Sequence, residues 1–124
     1  MFDSMKQAAK LAAALKDLPK IKARMEEVRL ELAARTVSGE SGGGVVVAVA
    51  DGRLRVVSIE VQPALRAGLA SGERQTHEDA TALLVEAVND ALSKAQRMIA
   101  EHAHAAAQEM NLPLPEGLIE GLAR

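Results

Sequence analysis

Histidine, carboxylate and hydroxyl side chains are the groups from which a catalytic or metal site would be built, and here their spacing supports neither. The chain has three His and no Cys in 124 residues. His102 and His104 lie two positions apart in a helical segment, so their side chains point about 200° apart and cannot share a metal ion. No Ser, His and Asp arrangement follows from the spacing. We therefore expect no catalytic residue, no metal, no cofactor and no small-molecule substrate.

Two further polar segments have both a functional and a structural interpretation. The glycine-rich stretch from Gly39 to Gly44 lacks the Gly-Lys-Ser/Thr of a phosphate-binding loop and does not lead into a helix, so a flexible turn is the better interpretation. Asn89-Asp90 interrupts a helical pattern with two mediocre helix formers. It is either an anchor that hydrogen-bonds a neighbouring backbone or an exposed polar turn, and the sequence leaves both open.

Charge is distributed unevenly along a chain whose net charge is −2. Residues 1–25 carry six basic residues against two acidic ones, a net charge of +4, which leaves −6 for the remainder. From charge alone a solvated helix is the simpler explanation, and binding of a polyanion is the alternative.

The basic segment must lie on a helix, because residues from about Met5 to Ala34 are mostly good helix formers. Apolar residues recur along it at steps of three and four, close to a coiled-coil repeat. They are Leu11, Leu15, Leu18, Ile21, Met25, Val28 and Leu32. Pro19 predicts either a kink or two helices, the first ending near Lys16 and the second capped by Asp17.

The middle of the chain reads as an antiparallel sheet of three strands. A possible short strand at 36–38 is followed by β-rich runs at 45–50 and 53–61. The Asp51-Gly52 link between the two runs predicts a type I′ hairpin that pairs Ala50 with Arg53, Val49 with Leu54 and Val47 with Val56.

That register makes both faces of the sheet substantially apolar. One face carries Val45, Val47, Val49, Leu54 and Val56, and the other carries Val46, Ala48, Val57, Ile59 and Val61. An antiparallel sheet in a small monomer usually has one solvated face. We therefore expect a helix to cover one face and a second copy of the chain the other. The set from Val45 to Val56 is our candidate dimer interface, although the sequence leaves open which face is shared.

A second long helix is predicted from about His77 to Glu109, after a short turn or helix in residues 64–75. Thr76 to Asp79 resembles a capping box, and small residues dominate the inward stripe, which is Ala80, Leu84, Ala87, Ala91, Ala95, Met98 and Ala106. At 1.5 Å per residue this helix is about 50 Å long and must protrude or pair. The expected class is α+β, with one domain at 1–110 and an irregular Pro- and Gly-containing tail at 111–124.

No segment reaches the length of a membrane span, and residues 1–10 lack the apolar core of a signal peptide. We expect a cytoplasmic protein without a membrane partner.

Four segments in order resemble the YbaB/EbfC family of nucleoid-associated DNA-binding proteins. Residues 36–46 (TVSGESGGGVV) look like its approach to the hairpin, and 57–65 (VSIEVQPAL) are similar to its third strand. Residues 88–91 (VNDA) match its second-helix signature, and 111–118 (NLPLPEGL) resemble its tail. Each motif is short, but the four occur in the family's order and together they cover nearly the whole chain.

The resemblance implies a tweezer-like homodimer in the nucleoid that binds duplex DNA with weak sequence preference through its projecting helices. By position and charge the candidate contacts are Lys16, Lys20, Lys22 and Arg24, with Lys94 and Arg97 as weaker candidates. The alternative function is a non-enzymatic protein-interaction module that uses the apolar seam from Leu11 to Leu32.

Overall fold

The computed structural model describes residues 2–110 and has the α+β architecture that the sequence predicts. Its elements in chain order are α1 (Phe2–Lys16), α2 (Leu18–Ala33), β1 (Thr36–Ser41), β2 (Val46–Asp51), β3 (Val56–Val61), α3 (Pro63–Leu69) and α4 (Arg74–Glu109). The strands form one antiparallel sheet in the order β1-β2-β3. The predicted irregular tail, residues 111–124, lies outside the described residues.

Pro19 divides the first helical segment into two helices rather than kinking one. α1 ends at Lys16 and α2 begins at Leu18, with Pro19 in its first turn, where a missing backbone N–H costs no hydrogen bond. Asp17 stands at the cap position, but its side chain makes no capping hydrogen bond, so that part of the prediction is wrong. Backbone bonds from Asp17 to Ala13 O (3.3 Å) and from Ile21 to Asp17 O (3.0 Å) continue across the junction.

The first hairpin is tighter than predicted because β1 extends through Gly39 to Ser41. Only three glycines remain in the turn, and all three have positive φ: 59° at Gly42, 69° at Gly43 and 95° at Gly44. L-residues avoid this region, so the glycines let the chain reverse within the turn. The segment is therefore part strand and part glycine turn.

The predicted type I′ hairpin is wrong in register. β2 ends at Asp51 and β3 begins at Val56; Ala50 pairs with Val56, and a bulge follows so that Val49 pairs with Ser58. The Asp51 carboxylate is the cause. Its Oδ1 accepts the backbone N–H of Arg53 (2.8 Å) and of Arg55 (3.1 Å), which curls the loop around the side chain.

This correction changes which residues share a face of the sheet. Val47 pairs with Glu60 instead of Val56. Leu54, at φ 59°, packs against the core cluster, which lies between α4 and the sheet, and so does Val45. The predicted face of Val46, Ala48, Ile59 and Val61 is confirmed, because Val46 pairs with Val61 and Ala48 with Ile59, and directly paired residues share a face. The other predicted face is wrong at Val56, which pairs with Ala50, and at Leu54, which lies between the strands.

α4 covers the side of the sheet that carries Val46, Ala48 and Ala50, all fully buried. It begins at Arg74 rather than His77, and no side-chain cap forms at its start. Its inward stripe is confirmed at Ala80, Ala87, Ala91, Ala95 and Ala106, which are buried, whereas Leu84 and Met98 are half-buried. The small side chains bring the helix close to β1. A Cβ at Gly39 would overlap Ala91 N and lie 2.7 Å from Ala87 O.

Candidate nucleic-acid interface

Three candidate lysines lie where α1 meets α2. Lys16 is in the last turn of α1, and Lys20 and Lys22 are in the first turns of α2. All three are exposed, and within residues 2–110 none lies within ion-pair distance of a carboxylate. Asp17 is the one acidic residue in this stretch. The junction thus presents three solvated ammonium groups that can approach a polyanion.

Arg24 stands in a different environment, although only one turn of helix separates it from Lys20. Its guanidinium lies 3.1 Å from Glu27, 3.1 Å from Glu31 and 3.2 Å from Glu109 of α4. Hydrogen bonds from Arg24 to Glu31 and then Glu27 raise the pKa of its guanidinium. Three carboxylates surround a single positive charge, so the charge of Arg24 is largely committed to its own chain.

The same cluster fastens α2 to α4. His102 Nε2 lies 2.7 Å from Glu31 Oε2. Hydrogen bonds from His102 and then Arg24 hold the pKa of Glu31 below its ordinary value. We call this cluster the Arg24 clamp: Arg24, Glu27, Glu31, His102 and Glu109. Sequence reasoning missed it, but a signal was present. Residues 24 and 31 on one helix, and 102 and 109 on the other, are each seven apart and therefore share a helix face.

The two weaker candidates lie on the exposed side of α4. Lys94 Nζ is 3.1 Å from Asp90 Oδ2, whereas Arg97 is exposed and, among residues 2–110, has no carboxylate at ion-pair distance. Part of the charge of Lys94 is thus committed to its own chain, and Arg97 remains available to a ligand.

Asp90 is the anchor that one interpretation of Asn89-Asp90 expected. Its Oδ2 accepts the backbone N–H of Glu40 at 3.0 Å, which ties α4 to β1. This bond, followed by the one from Lys94, holds the pKa of Asp90 below its ordinary value. Asn89 is exposed. At the next residue of β1, the Ser41 hydroxyl donates to Leu83 O and fixes the same strand to the same helix.

The candidate dimer residues do not form one surface. Val45 and Leu54 pack against the chain's own core. Val47 and Val49 are half-buried and alternate with the residues that face α4, so they lie on the opposite side of the sheet. Val56 is on the outer strand β3, where it is 37% exposed beside Val57 at 52% and Ile59 at 45%. α4 therefore leaves much of β3 uncovered.

The apolar seam of the helices is also open in part. Leu11, Leu15 and Leu18 are 64%, 60% and 40% exposed, whereas Leu32 is buried. Between α2 and α4 runs a groove of about 570 Å³. Its apolar lining comes from Met25, Val28, Leu32, Ile99, Ala103, Ala106, Ala107 and Met110.

His77 and His104 each contact another residue of their own chain rather than another histidine. His77 Nδ1 is 2.7 Å from Leu69 O, and His104 Nε2 is 3.1 Å from Gln108 Nε2. In the described part of the chain no three His, Cys, Asp or Glu residues are grouped as a metal site would need. The same residues include no helix that is both long and apolar enough to span a membrane.

Comparison with known proteins identifies the family to which the chain belongs. A model of the YbaB/EbfC DNA-binding family matches residues 5–110. A nucleoid-associated protein of Thermoanaerobacter sp. (strain X514) is 35% identical over 99 residues, 80% of this chain and 84% of that protein. One from Rhodospirillum rubrum is 39% identical over 87 residues, 70% of this chain and 76% of its own length.

The fold also has a solved counterpart. The crystal structure of the uncharacterized protein HP0035 from Helicobacter pylori superposes with a TM-score of 0.55 at 18% identity, covering 70% of this chain and 94% of that one. At this identity the likeness concerns the fold alone. The family match and the relatives of at least 30% identity carry the assignment: the chain belongs to the YbaB/EbfC DNA-binding family.

Proposed function

We propose that this chain is a nucleoid-associated protein of the cytoplasm that binds duplex DNA as a homodimer, without catalysing a reaction. The observation that carries the proposal is the exposure of Lys16, Lys20 and Lys22 near the junction of α1 and α2. An ammonium group that is free to meet a phosphate releases condensed counterions, and this release drives binding that is largely independent of sequence. Lys94 and Arg97 on α4 are secondary contacts.

Arg24 has a separate place in the proposal. Because its guanidinium lies among Glu27, Glu31 and Glu109, it acts through the position of α2 rather than on phosphate. The candidate residues therefore have two different roles. The lysines near the α1–α2 junction contact phosphate, and the Arg24 clamp holds α2 in place.

The homodimer is supported by the apolar surface that a single chain leaves open. Val57 and Ile59 on β3 are exposed, and Val47 and Val49 lie on the side of the sheet opposite α4. An edge strand with exposed apolar side chains favours pairing with another chain. A dimer would also double the number of basic junctions that meet one duplex.

Fluorescence anisotropy of a labelled generic duplex, titrated at several salt concentrations, tests the DNA contacts. The variant Lys16→Gln/Lys20→Gln/Lys22→Gln is expected to bind more weakly and to lower the slope of log affinity against log salt by about 0.9 per lost contact. Arg66→Gln/Arg74→Gln, which removes exposed charge other than that of these lysines, is the control.

Arg24→Gln sharpens the same experiment. It should lower the free energy of unfolding because the clamp is broken, yet leave the salt slope unchanged. If Lys16→Gln/Lys20→Gln/Lys22→Gln keeps the affinity and slope of the wild type, the proposed contacts are contradicted. If the wild type does not bind duplex DNA at low salt, the DNA-binding function is contradicted.

The alternative, a protein-interaction module that binds an amphipathic helix of another protein, is favoured by the exposed leucines of α1 and the groove between α2 and α4. An apolar contact of that kind survives moderate salt, whereas phosphate contacts weaken steeply. The salt titration therefore separates the two functions.

A further inference from the structure

The loop between β2 and β3 is built to a fixed shape around one carboxylate. Asp51 is 4% exposed, and its Oδ1 accepts two backbone N–H groups, from Arg53 and Arg55. Its own N–H donates to Arg55 O at 2.9 Å, and its carbonyl accepts from Leu54 N–H at 3.1 Å. Leu54 packs inward against the core, while its two arginine neighbours are exposed.

A third arginine meets this loop at the end of α2. Arg35 donates its backbone N–H to Leu32 O at 3.1 Å. Gly52 presses against that same carbonyl, since a Cβ at position 52 would overlap Leu32 O and lie 2.8 Å from Leu32 Cβ. The backbones at Arg35 and Gly52 thus converge on one atom, and Thr36 pairs with Asp51, so the backbone of Arg35 lies next to the start of the loop that carries Arg53.

The charge of this corner is strongly positive in an acidic chain. Arg35, Arg53 and Arg55 are all exposed. Arg35 and Arg53 have no carboxylate at ion-pair distance within residues 2–110, and Arg55 has only the long 3.5 Å contact with Asp51. Burial raises the pKa of Asp51, but the N–H groups of Arg53 and Arg55 outweigh it and hold the pKa below its ordinary value, so the carboxylate stays ionised and committed to the loop.

We propose that Arg35, Arg53 and Arg55, which we call the loop arginines, form a second phosphate-binding surface for duplex DNA, a proposal that rests on the DNA-binding function above. Guanidinium groups bind phosphate oxygens in a bidentate manner and stay charged at every physiological pH. The fixed loop sets the backbone positions of Arg53 and Arg55 before DNA arrives, so less order must be imposed on the loop backbone when DNA binds.

α2 sets the distance between this surface and the lysines of the α1–α2 junction. The 13 positions from Lys20 to Ala33, where α2 ends, correspond to about 20 Å of helix axis. One turn of B-DNA is about 34 Å. One duplex is therefore long enough to reach both ends of α2 within a single turn.

The test compares Arg35→Gln/Arg53→Gln with the control Arg66→Gln/Arg74→Gln, which changes the net charge equally. Binding to a labelled duplex is measured by anisotropy across a salt series, and far-UV circular dichroism checks that both variants are folded. Arg55 is left intact because it contacts Asp51. We expect the loop variant to bind several-fold more weakly than the control and its salt slope to fall by about 2, one for each lost contact.

Arg35→Lys/Arg53→Lys keeps the charge and should retain the salt slope. If the loop variant matches the control in affinity and slope while the lysine variants of the α1–α2 junction lose binding, the loop surface is not a contact and the proposed function stands. If the wild type itself binds no duplex at low salt, both proposals fall.

Discussion

Two carboxylates with lowered pKa values, Asp51 and Asp90, do at the residue scale what capping and turn residues do in many proteins. Asp51 accepts the backbone N–H groups of Arg53 and Arg55 and shapes the β2–β3 loop. Asp90 accepts the backbone N–H of Glu40 and ties β1 to α4. Both carboxylates thus fix a segment of backbone through an ionised acceptor, which makes a stronger hydrogen bond than a neutral one.

The Asp90 tie is expected to weaken in acid. A carboxylate whose folded-state pKa is lowered contributes stability above its unfolded-state pKa of about 3.9, and loses it as the pH falls through the folded-state value. The free energy of unfolding of the wild type should therefore exceed that of Asp90→Asn near neutral pH, and the difference should shrink below about pH 4. Urea unfolding at a series of pH values measures it.

Glu86→Gln, on an exposed carboxylate of the same helix, is the matched control and should follow the wild type across the series. A difference between wild type and Asp90→Asn that stays constant down to low pH would show that the ionised carboxylate is not what holds β1.

Among the elements, the contact between α4 and β1 depends on the smallest side chains. Alanine at Gly39 would place a methyl group 2.6 Å from Ala91 Cα and force the helix away from the strand. We expect Gly39→Ala to lower the free energy of unfolding by about 1–3 kcal/mol or more, as overpacking does. Chemical denaturation followed by circular dichroism measures the change.

Gly72→Ala is the comparison, since no atom lies within 4 Å of a Cβ there. Its stability should stay within about 0.5 kcal/mol of the wild type or rise slightly. Equal stability of Gly39→Ala and Gly72→Ala would mean that α4 and β1 are not in the close contact described.

Predictability from sequence varied between elements for physical reasons. Local rules sufficed to place an interruption at Pro19, as a kink or a break, and to place the alanine stripe of α4, because a missing N–H and a 3.6-residue period act within one segment. The second hairpin was predicted, but its register was wrong because Leu54 packs into a core formed by distant residues and Asp51 accepts two backbone N–H groups. The turn propensity of Asp51-Gly52 predicts neither the packing of Leu54 nor the two hydrogen bonds to the Asp51 carboxylate.

The candidate site was predicted to a similar degree. Lys16, Lys20 and Lys22 lie exposed in helices where the sequence put them, and their contact with DNA stays a prediction. The partners of Arg24 could not be read from α2 alone, since Glu109 and His102 belong to α4. The loop arginines could not be grouped from the sequence, because Arg35 and Arg53 are brought near each other only by the pairing of β1 with β2 and by the contact at Leu32 O.

For the molecule as a whole, the open surface of the sheet predicts a dimer that single charges disrupt. Val47→Asp, on the side opposite α4, and Ile59→Asp, on the exposed part of β3, should each convert a species of twice the 13.1 kDa chain mass into monomer, because a carboxylate cannot be buried unpaired in an apolar interface. Size-exclusion chromatography with light scattering measures the mass.

Val85→Asp places the same charge on an exposed valine of α4, 53% accessible, and should leave the mass unchanged. Ile59 is 45% exposed in the single chain, so its substitution should disturb the core less than that of a buried residue, and far-UV circular dichroism separates loss of the dimer from unfolding. If both sheet variants remain dimeric, the shared surface lies elsewhere.

The alanine stripe of α4 has a consequence for the conformational entropy of folding. Alanine and glycine have no side-chain rotamers to lose, so docking the helix on β1 and β2 through Gly39, Ala87, Ala91 and Ala95 orders little besides the backbone. The free energy gained by burying apolar surface therefore does not have to offset the loss of conformational entropy of long side chains. A chain of 124 residues with a single aromatic side chain can thus hold a helix of 36 residues against its sheet with modest apolar area, at the cost of tolerating almost no added methyl group there.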